Sequence, residues 1–152
     1  MLEHELSQWV ARARITKREG RAYINGAYTT ATSEQVFERR SPIDGEVVAE
    51  IARCSSNDVD KAVSAARNSY ESGVWRHKDP SERKAILRRF ANLIRRNGDE
   101  IALLESIELG KPISDTRNVD VPGCANAIEY YAEMADKIYD EVAPTGPDTL
   151  GL

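Results

Sequence analysis

The sequence has few cysteines and histidines, the residues on which many metal and redox sites are built. Its 152 residues include two cysteines, Cys54 and Cys124, and two histidines, His4 and His77. No pair among them has the spacing of a zinc site or a redox motif. Two distant cysteines also exclude a disulfide framework, which needs several cross-links. Free thiols are typical of a reducing compartment, and we therefore expect a cytoplasmic protein.

Long apolar runs and an excess of positive charge are also missing. No segment approaches the roughly 18 apolar residues that a membrane-spanning helix needs. The 21 Lys and Arg residues are outnumbered by 25 Asp and Glu residues, which gives a net charge of −4 and a pI of about 5.3. An acidic balance without a basic, aromatic-rich stripe is not typical of binding to nucleic acid or to anionic lipid. We expect neither nucleic acid nor a membrane among the partners.

The order of hydrophobic patterns predicts one helix, two β-hairpins and then a run of helices. Residues 1–20 repeat apolar side chains at helical spacing. Residues 21–52 contain two strand pairs, and the first is closed by Asn25-Gly26, which favours a two-residue hairpin turn. Residues 53–138 carry helical patterns, with N-cap residues at 55–58 before one helix and a capping box of Asp79 and Glu82 at the start of another.

Two of these helices are expected to bury an apolar face. The first face comprises Ile86, Phe90, Leu93 and Ile94. The second comprises Ala127, Ile128, Tyr131 and Met134 in a helix over 120–138, with Pro122 in its first turn or kinking it.

No catalytic constellation follows from the residues alone. Neither GxGxxG nor GxxxxGK[ST] occurs, so a glycine-rich phosphate loop is missing. Cys124 lies near a predicted helix start, which could lower the pKa of its thiol, but a small buried helical cysteine is the commoner arrangement. Glu105 and Glu108 share a helix face, where they could bind a cation or act as acid and base, or be simply solvated.

Several short motifs nevertheless resemble the N-terminal portion of NAD(P)-dependent aldehyde dehydrogenases. They occupy residues 23–28, 41–47, 58–66, 80–83, 103–105 with 109–112, and 130–132. Each motif is weak alone, but they follow one another in the order and with the gaps of that family over almost the whole chain. The sequence is most similar to the bacterial branch that includes γ-glutamyl-γ-aminobutyraldehyde dehydrogenase.

The resemblance implies an α/β fold, the aldehyde dehydrogenase fold, of which this chain holds the N-terminal β-hairpins and the helices that pack on a Rossmann-like cofactor domain. Residues 1–20 are then an N-terminal helix and residues 21–52 the hairpin strands. Residues 53–138 are the helical part of the cofactor-binding domain, and residues 139–152 begin a truncated oligomerisation β-segment.

The same resemblance implies an oxidoreductase that converts an aldehyde to a carboxylic acid with NAD or NADP and assembles into homodimers or homotetramers. Such enzymes use a cysteine nucleophile, a glutamate base and an asparagine that stabilises the oxyanion. These catalytic residues and the cofactor-binding residues would lie beyond Leu152. We therefore expect a fragment that is inactive by itself and has the rest of its own polypeptide as its partner.

Two further functional positions follow from the resemblance. Many family members hold a monovalent cation, K⁺ or Na⁺, at positions that match the carbonyls of Arg39 and Arg40 and the carboxylate of Glu108. Oxygen ligands suit such hard cations. Gly123 matches a position that lines the substrate passage, where glycine would leave room for a longer aldehyde.

The alternative is a stand-alone, non-catalytic helical interaction or assembly protein derived from that family. A stand-alone protein should cover its apolar helix faces, because soluble monomers rarely expose large apolar patches. A part of a larger enzyme should leave those faces exposed. The burial of the helices therefore discriminates between the two hypotheses.

Overall fold

The computed structural model describes residues 3–139 and 148. The elements are α1 (Glu3–Ile15), β1 (Ala22–Ile24), β2 (Ala27–Thr29), β3 (Val36–Arg40), β4 (Val47–Ala52), α2 (Ser56–Glu71), α3 (Pro80–Arg96), α4 (Gly98–Leu109), α5 (Ile113–Asp115), a π-helical turn (Thr116–Asp120) and α6 (Val121–Met134). This mixed architecture confirms the predicted α/β class and order of elements. The predicted oligomerisation β-segment at 139–152 lies outside the described residues, apart from Tyr139 and Asp148.

Each hairpin forms its own two-stranded antiparallel sheet. Asn25 and Gly26 have φ values of 51° and 80°, so the predicted two-residue turn joins β1 to β2. The β3–β4 pair has a register irregularity between Arg39 and Arg40. Such an irregularity changes the direction of a side chain at a strand end, which matters below for Arg39.

The helix starts follow the predicted capping chemistry. Ser55 and Asp58 form a capping box at α2, and Asp79 and Glu82 form one at α3. Pro80 occupies the first position of α3, where its missing N–H removes no helical hydrogen bond.

Asp58 also fastens the loop after β2 to the start of α2. Its side chain is buried, and Oδ1 accepts hydrogen bonds from the backbone N of Thr32, at 3.0 Å, and from the Thr32 hydroxyl. Oδ2 accepts from the backbone N and the hydroxyl of Ser55, at 2.8 and 2.9 Å. These hydrogen bonds, the one from the Thr32 hydroxyl foremost, hold the pKa of Asp58 well below its usual range.

The core lies where α3, α4 and α6 meet, and alanines dominate it. Its buried members are Ala91, Ile94, Ala102, Val121 and Ala125. Around it, Lys84 Nζ lies 2.6 Å from a Glu133 carboxylate oxygen, and Arg95 lies 2.6 Å from Glu129. These pairs link α3 to α6, although partly exposed ion pairs contribute little stability each.

Each predicted buried face is wrong in two of its four members. Of the predicted members on α3, Ile94 is buried and Ile86 is partly buried, whereas Phe90 and Leu93 are about half exposed, at 51% and 46%. Of those on α6, Ile128 and Met134 are partly buried, whereas Ala127 and Tyr131 are exposed, and the fully buried positions are Val121, Ala125 and Ala132. The helices face one another through their small residues. Their larger apolar side chains therefore point to surfaces that the described part of the chain does not cover.

Helix α1 docks through a tryptophan between two arginines. Trp9 is 7% exposed, and the guanidinium carbons of Arg12 and Arg117 lie 4.5 and 5.7 Å from the centre of its ring. The Asp99 carboxylate contacts both arginines, Arg117 Nε at 2.8 Å and Arg12 at 3.7 Å. Cation–π contacts of this kind favour a fixed position for α1 against α4 and the π-helical turn.

Replacing Trp9 should therefore release α1 from the rest of the fold. We expect Trp9→Ala to cost about 3 kcal/mol, because a buried indole is lost, and to speed amide hydrogen exchange across α1 more than across α6. Ile15→Ala is the matched control, since Ile15 is in the same helix and 84% exposed. Unchanged exchange in α1 of the Trp9 variant would contradict the docking role.

Removing the Asp58 charge should weaken the fold in a pH-dependent way. Because the folded-state pKa lies below the unfolded value of about 3.9, the stabilisation is present above that value and is lost as the pH falls through the folded-state pKa. We expect Asp58→Asn to lower the melting temperature by several degrees at neutral pH, and the gap to the parent protein to shrink below pH of about 4.

The control for this effect is Asp60→Asn, which removes an exposed carboxylate two residues along the same helix. It should leave the melting temperature almost unchanged at both pH values. An Asp58→Asn deficit that stays constant from neutral to acid pH would show that the carboxylate charge is not the source.

Candidate functional site

Three of the predicted site residues meet where the end of β3 lies against the last turn of α4. Gly110 ends α4 with a φ of 72°, a left-handed conformation that glycine adopts without strain. A Cβ at Gly110 would lie 3.0 Å from Cγ of Pro42, in the β3–β4 turn. Glycine therefore permits both the end of the helix and the close approach of the turn.

The Arg39 side chain links the hairpin to the helix at this junction. Its Nε donates to a carboxylate oxygen of Glu108 at 2.8 Å, and a second guanidinium nitrogen donates to the backbone carbonyl of Glu108. The third nitrogen donates to the carbonyl of Arg40 at 3.2 Å. The Arg40 side chain turns away and binds the carbonyl of Gly45 at 3.0 Å and the Glu38 carboxylate.

The geometry thus brings Arg39, Arg40 and Glu108 together. The group at the centre of their oxygens is the guanidinium of Arg39 and not a metal ion. The predicted cation ligands include the Arg40 carbonyl and the Glu108 carboxylate, and both already accept hydrogen bonds from Arg39. A K⁺ or Na⁺ ion on the same oxygens would lie next to the guanidinium charge and be repelled by it. The residues as arranged do not fit a bound alkali ion, and the cation site stays a prediction that no contact supports.

Other metal chemistry has no support either. Within residues 3–139 and 148, no group of three or more His, Cys, Asp or Glu side chains could hold a metal ion. The predicted pair Glu105 and Glu108 is divided between two cations, because Glu105 lies 3.6 Å from Lys111 and Glu108 lies 2.8 Å from Arg39. The pair is a set of ion pairs and not a free acid–base couple.

Gly123 is the third residue of α6 and is exposed. A Cβ at this position would meet no atom within 4 Å. The described part of the chain therefore leaves open space beside Gly123, as a position next to a passage requires. Its role in substrate access stays a prediction.

Lys111 holds the segment before α6, through contacts that no sequence pattern indicated. Its ammonium group contacts the Asp120 carboxylate and lies 3.6 Å from Glu105. The hydrogen bond to Asp120 raises the pKa of Lys111. The contact spans the π-helical turn, whose Thr116 is fully buried. π-helical turns are rare and often lie at functional sites. The contact of Lys111 with Asp120 therefore helps to set where α6 begins and where Gly123 lies.

Both cysteines are exposed, so the expectation of a buried Cys124 is wrong. Cys124 is near the start of α6, on the outer side of a helix that buries Ala125 instead. Among the described residues, neither thiol has a side-chain contact with a histidine, lysine or carboxylate that could act as its base. A cysteine without such a neighbour is not an activated nucleophile.

Large apolar side chains lie exposed on three helices. They are Val59 and Val63 of α2, Phe90 and Leu93 of α3, and Tyr130 and Tyr131 of α6, each between 46% and 68% exposed. We call these six residues the apolar outer set. No helix in residues 3–139 is long and apolar enough to cross a bilayer.

Comparison with known proteins gives consistent results. Residues 28–152 match the aldehyde dehydrogenase family. The chain is 42% identical over 149 residues to the NADP/NAD-dependent aldehyde dehydrogenase PuuC of Escherichia coli (strain K12), an alignment that covers 98% of this chain and 30% of PuuC. The chain thus spans less than a third of the length of this relative.

Solved structures extend the similarity to the fold. The P. syringae indole-3-acetaldehyde dehydrogenase AldA, as a mutant in complex with NAD⁺ and IAA, is 46% identical with a TM-score of 0.92, over 95% of this chain and 29% of that one. The γ-glutamyl-γ-aminobutyraldehyde dehydrogenase from Burkholderia cenocepacia is 47% identical with a TM-score of 0.90, over 93% and 29%. These matches confirm the predicted fold and the predicted similarity to that bacterial branch.

Proposed function

The chain belongs to the aldehyde dehydrogenase family, and we propose that it is the N-terminal part of an enzyme that oxidises an aldehyde to a carboxylic acid with NAD or NADP. The observation that carries the proposal is the 42% identity to an NADP/NAD-dependent aldehyde dehydrogenase over 98% of the chain. Because the chain spans 30% of that relative, the activity is assigned to a complete protein and not to these residues by themselves.

The apolar outer set supports this assignment over a stand-alone assembly protein. Phe90, Tyr130 and Tyr131 are each more than half exposed, although apolar side chains of this size usually drive burial. Burial of apolar surface is favourable by about 25 cal/mol per Å², and a ring that stays in water lacks this stabilisation. A Rossmann-like cofactor domain supplied by the rest of the same polypeptide would cover these rings.

The division of labour follows from what the described residues can do. The bound NAD(P)⁺ would accept the hydride, and its site, the nucleophilic cysteine, the glutamate base and the oxyanion asparagine are all assigned to residues beyond Leu152. This chain would supply the helices that position those parts, with Gly123 beside the aldehyde passage. Assembly into homodimers or homotetramers and a cytoplasmic location, which suits the free thiols of Cys54 and Cys124, complete the proposal.

The test is a paired measurement on the native protein. Its intact mass is determined from its own cells, and the purified protein is assayed for NADH or NADPH formation with a panel of aldehydes. We expect a mass several times 17.0 kDa and aldehyde-dependent reduction of the cofactor. A native polypeptide of 17.0 kDa without this activity would contradict the proposal and favour the assembly protein.

Gly123 gives a second test, on the size of the aldehyde. A methionine side chain at 123 would fill the open space there, and we expect Gly123→Met in the complete enzyme to lower kcat/KM for long aldehydes about tenfold or more. That loss corresponds to the about 1–3 kcal/mol that one methylene contributes in a pocket. The rate with acetaldehyde, which has a single methyl group, should change little. Steady-state kinetics over a series of aldehydes measures the effect.

The matched control is Cys124→Met, which places the same side chain one position along, about 100° around the helix. Cys124 is exposed, so this variant should keep the chain-length preference of the parent enzyme. An unchanged chain-length preference in Gly123→Met would contradict the role of Gly123 in the substrate passage. It would not contradict the proposed aldehyde dehydrogenase activity.

A further inference from the structure

One guanidinium collects three oxygens at the junction of β3 and α4. Arg39 donates to the carboxylate of Glu108 at 2.8 Å, to the backbone carbonyl of Glu108, and to the carbonyl of Arg40 at 3.2 Å. The oxygens come from both sides of the junction, since Arg40 ends β3 and Glu108 is in the last turn of α4. Each of the three nitrogens of the fork therefore has an acceptor.

The junction requires a positive charge for a physical reason. The last carbonyls of a helix have no partner within the helix, and the helix dipole makes this end negative. Glu108 adds a full negative charge to the same end of α4, and no lysine or arginine occupies the last turn of that helix. A cation supplied from outside the helix is therefore stabilising here.

A metal ion and the Arg39 guanidinium compete for the same place. The Arg40 carbonyl and the Glu108 carboxylate are two of the oxygens that a K⁺ or Na⁺ ion would need, and Arg39 holds both. Two positive charges about 4 Å apart repel each other by about 1 kcal/mol even in bulk water and by more near a protein surface. This repulsion, together with the occupied oxygens, disfavours a metal ion as long as the guanidinium is in place.

We propose that Arg39 is a built-in cation that takes the place of a monovalent metal ion at this junction, so that the protein binds neither K⁺ nor Na⁺ there. The local backbone supports this position for the side chain. The register irregularity of β3 lies between Arg39, which carries the guanidinium, and Arg40, whose carbonyl accepts from it. The contact of Gly110 with Pro42 brings the hairpin turn against the end of α4.

The first test is a melting experiment on the full-length protein in KCl, NaCl and choline chloride at equal ionic strength. Equal ionic strength keeps the general screening of surface charges the same in all three salts. We expect one melting temperature in the three solutions, because the oxygens are already occupied. A saturable rise in K⁺ or Na⁺ over choline would overturn the proposal.

The second test removes the guanidinium and leaves its oxygens. Arg39→Met should melt about 2–4 °C lower than the parent protein in choline chloride, and K⁺ or Na⁺ should restore part of this loss. Arg40→Met is the matched control, because that neighbouring guanidinium binds Glu38 and the Gly45 carbonyl. The control should melt alike in all three salts.

A conservative variant keeps the test decisive if Arg39→Met folds poorly. Arg39→Lys retains a positive charge beside Glu108, so it should stay insensitive to the choice of salt. An Arg39→Met protein that melts alike in all three salts would overturn the proposal, as would an Arg39→Lys protein that gains a specific response to K⁺. Because all of these readouts are melting temperatures, they stand apart from any test of aldehyde oxidation.

Discussion

The close contact of α3 with α6 through alanine is the constraint on which the rest of this structure depends. Ala91, Ala125 and Ala132 are fully buried, and such small side chains let two helix backbones approach closely at little cost in side-chain entropy. The members of the apolar outer set on these two helices, Phe90, Leu93, Tyr130 and Tyr131, lie on other faces and are exposed. The small residues therefore pack in the centre and larger apolar side chains lie outside, an arrangement that agrees with the proposal that the rest of the polypeptide covers them.

Polar clamps complete what the small core cannot supply. Asp58 fastens a hairpin loop to α2, Arg39 fastens a strand end to α4, and Lys111 spans the π-helical turn before α6. All three link a non-helical segment to a helix, where apolar contact area is small. The Asp58 side chain is buried and accepts four hydrogen bonds. The Arg39 and Lys111 side chains are each 38% exposed, and solvent screens their charges. The exposed clamps therefore act more on position than on stability.

Local chemistry predicted the local parts of this fold. The Asn25-Gly26 turn, the N-cap at 55–58 and the capping box at Asp79 are confirmed because each depends on residues at most three apart. The buried faces of α3 and α6 were right in only half of their members, because periodicity shows which residues share a face and not which partner that face meets. The Arg39–Glu108 contact joins residues 69 apart, so no spacing rule could have found it, and only the family resemblance placed the two residues at one site. The short motifs between residues 23 and 132 predicted the family correctly as a set, because their order and spacing along the chain carry information that no single helix face contains.

In the proposed complete enzyme, the contacts before α6 would help to position the residue beside the aldehyde passage. The start of α6 is set by the π-helical turn, and that turn is spanned by the contact of Lys111 with Asp120. Gly123 lies three residues after Asp120, so the Lys111 contact and the open space beside Gly123 belong to one continuous segment. At the other end of that segment, Lys111 follows Gly110, whose close approach to Pro42 brings the β3–β4 turn to the Arg39 clamp. The Arg39–Glu108 ion pair at the hairpin junction and the open space beside Gly123 at the proposed passage are thus linked by the contacts along residues 108–123.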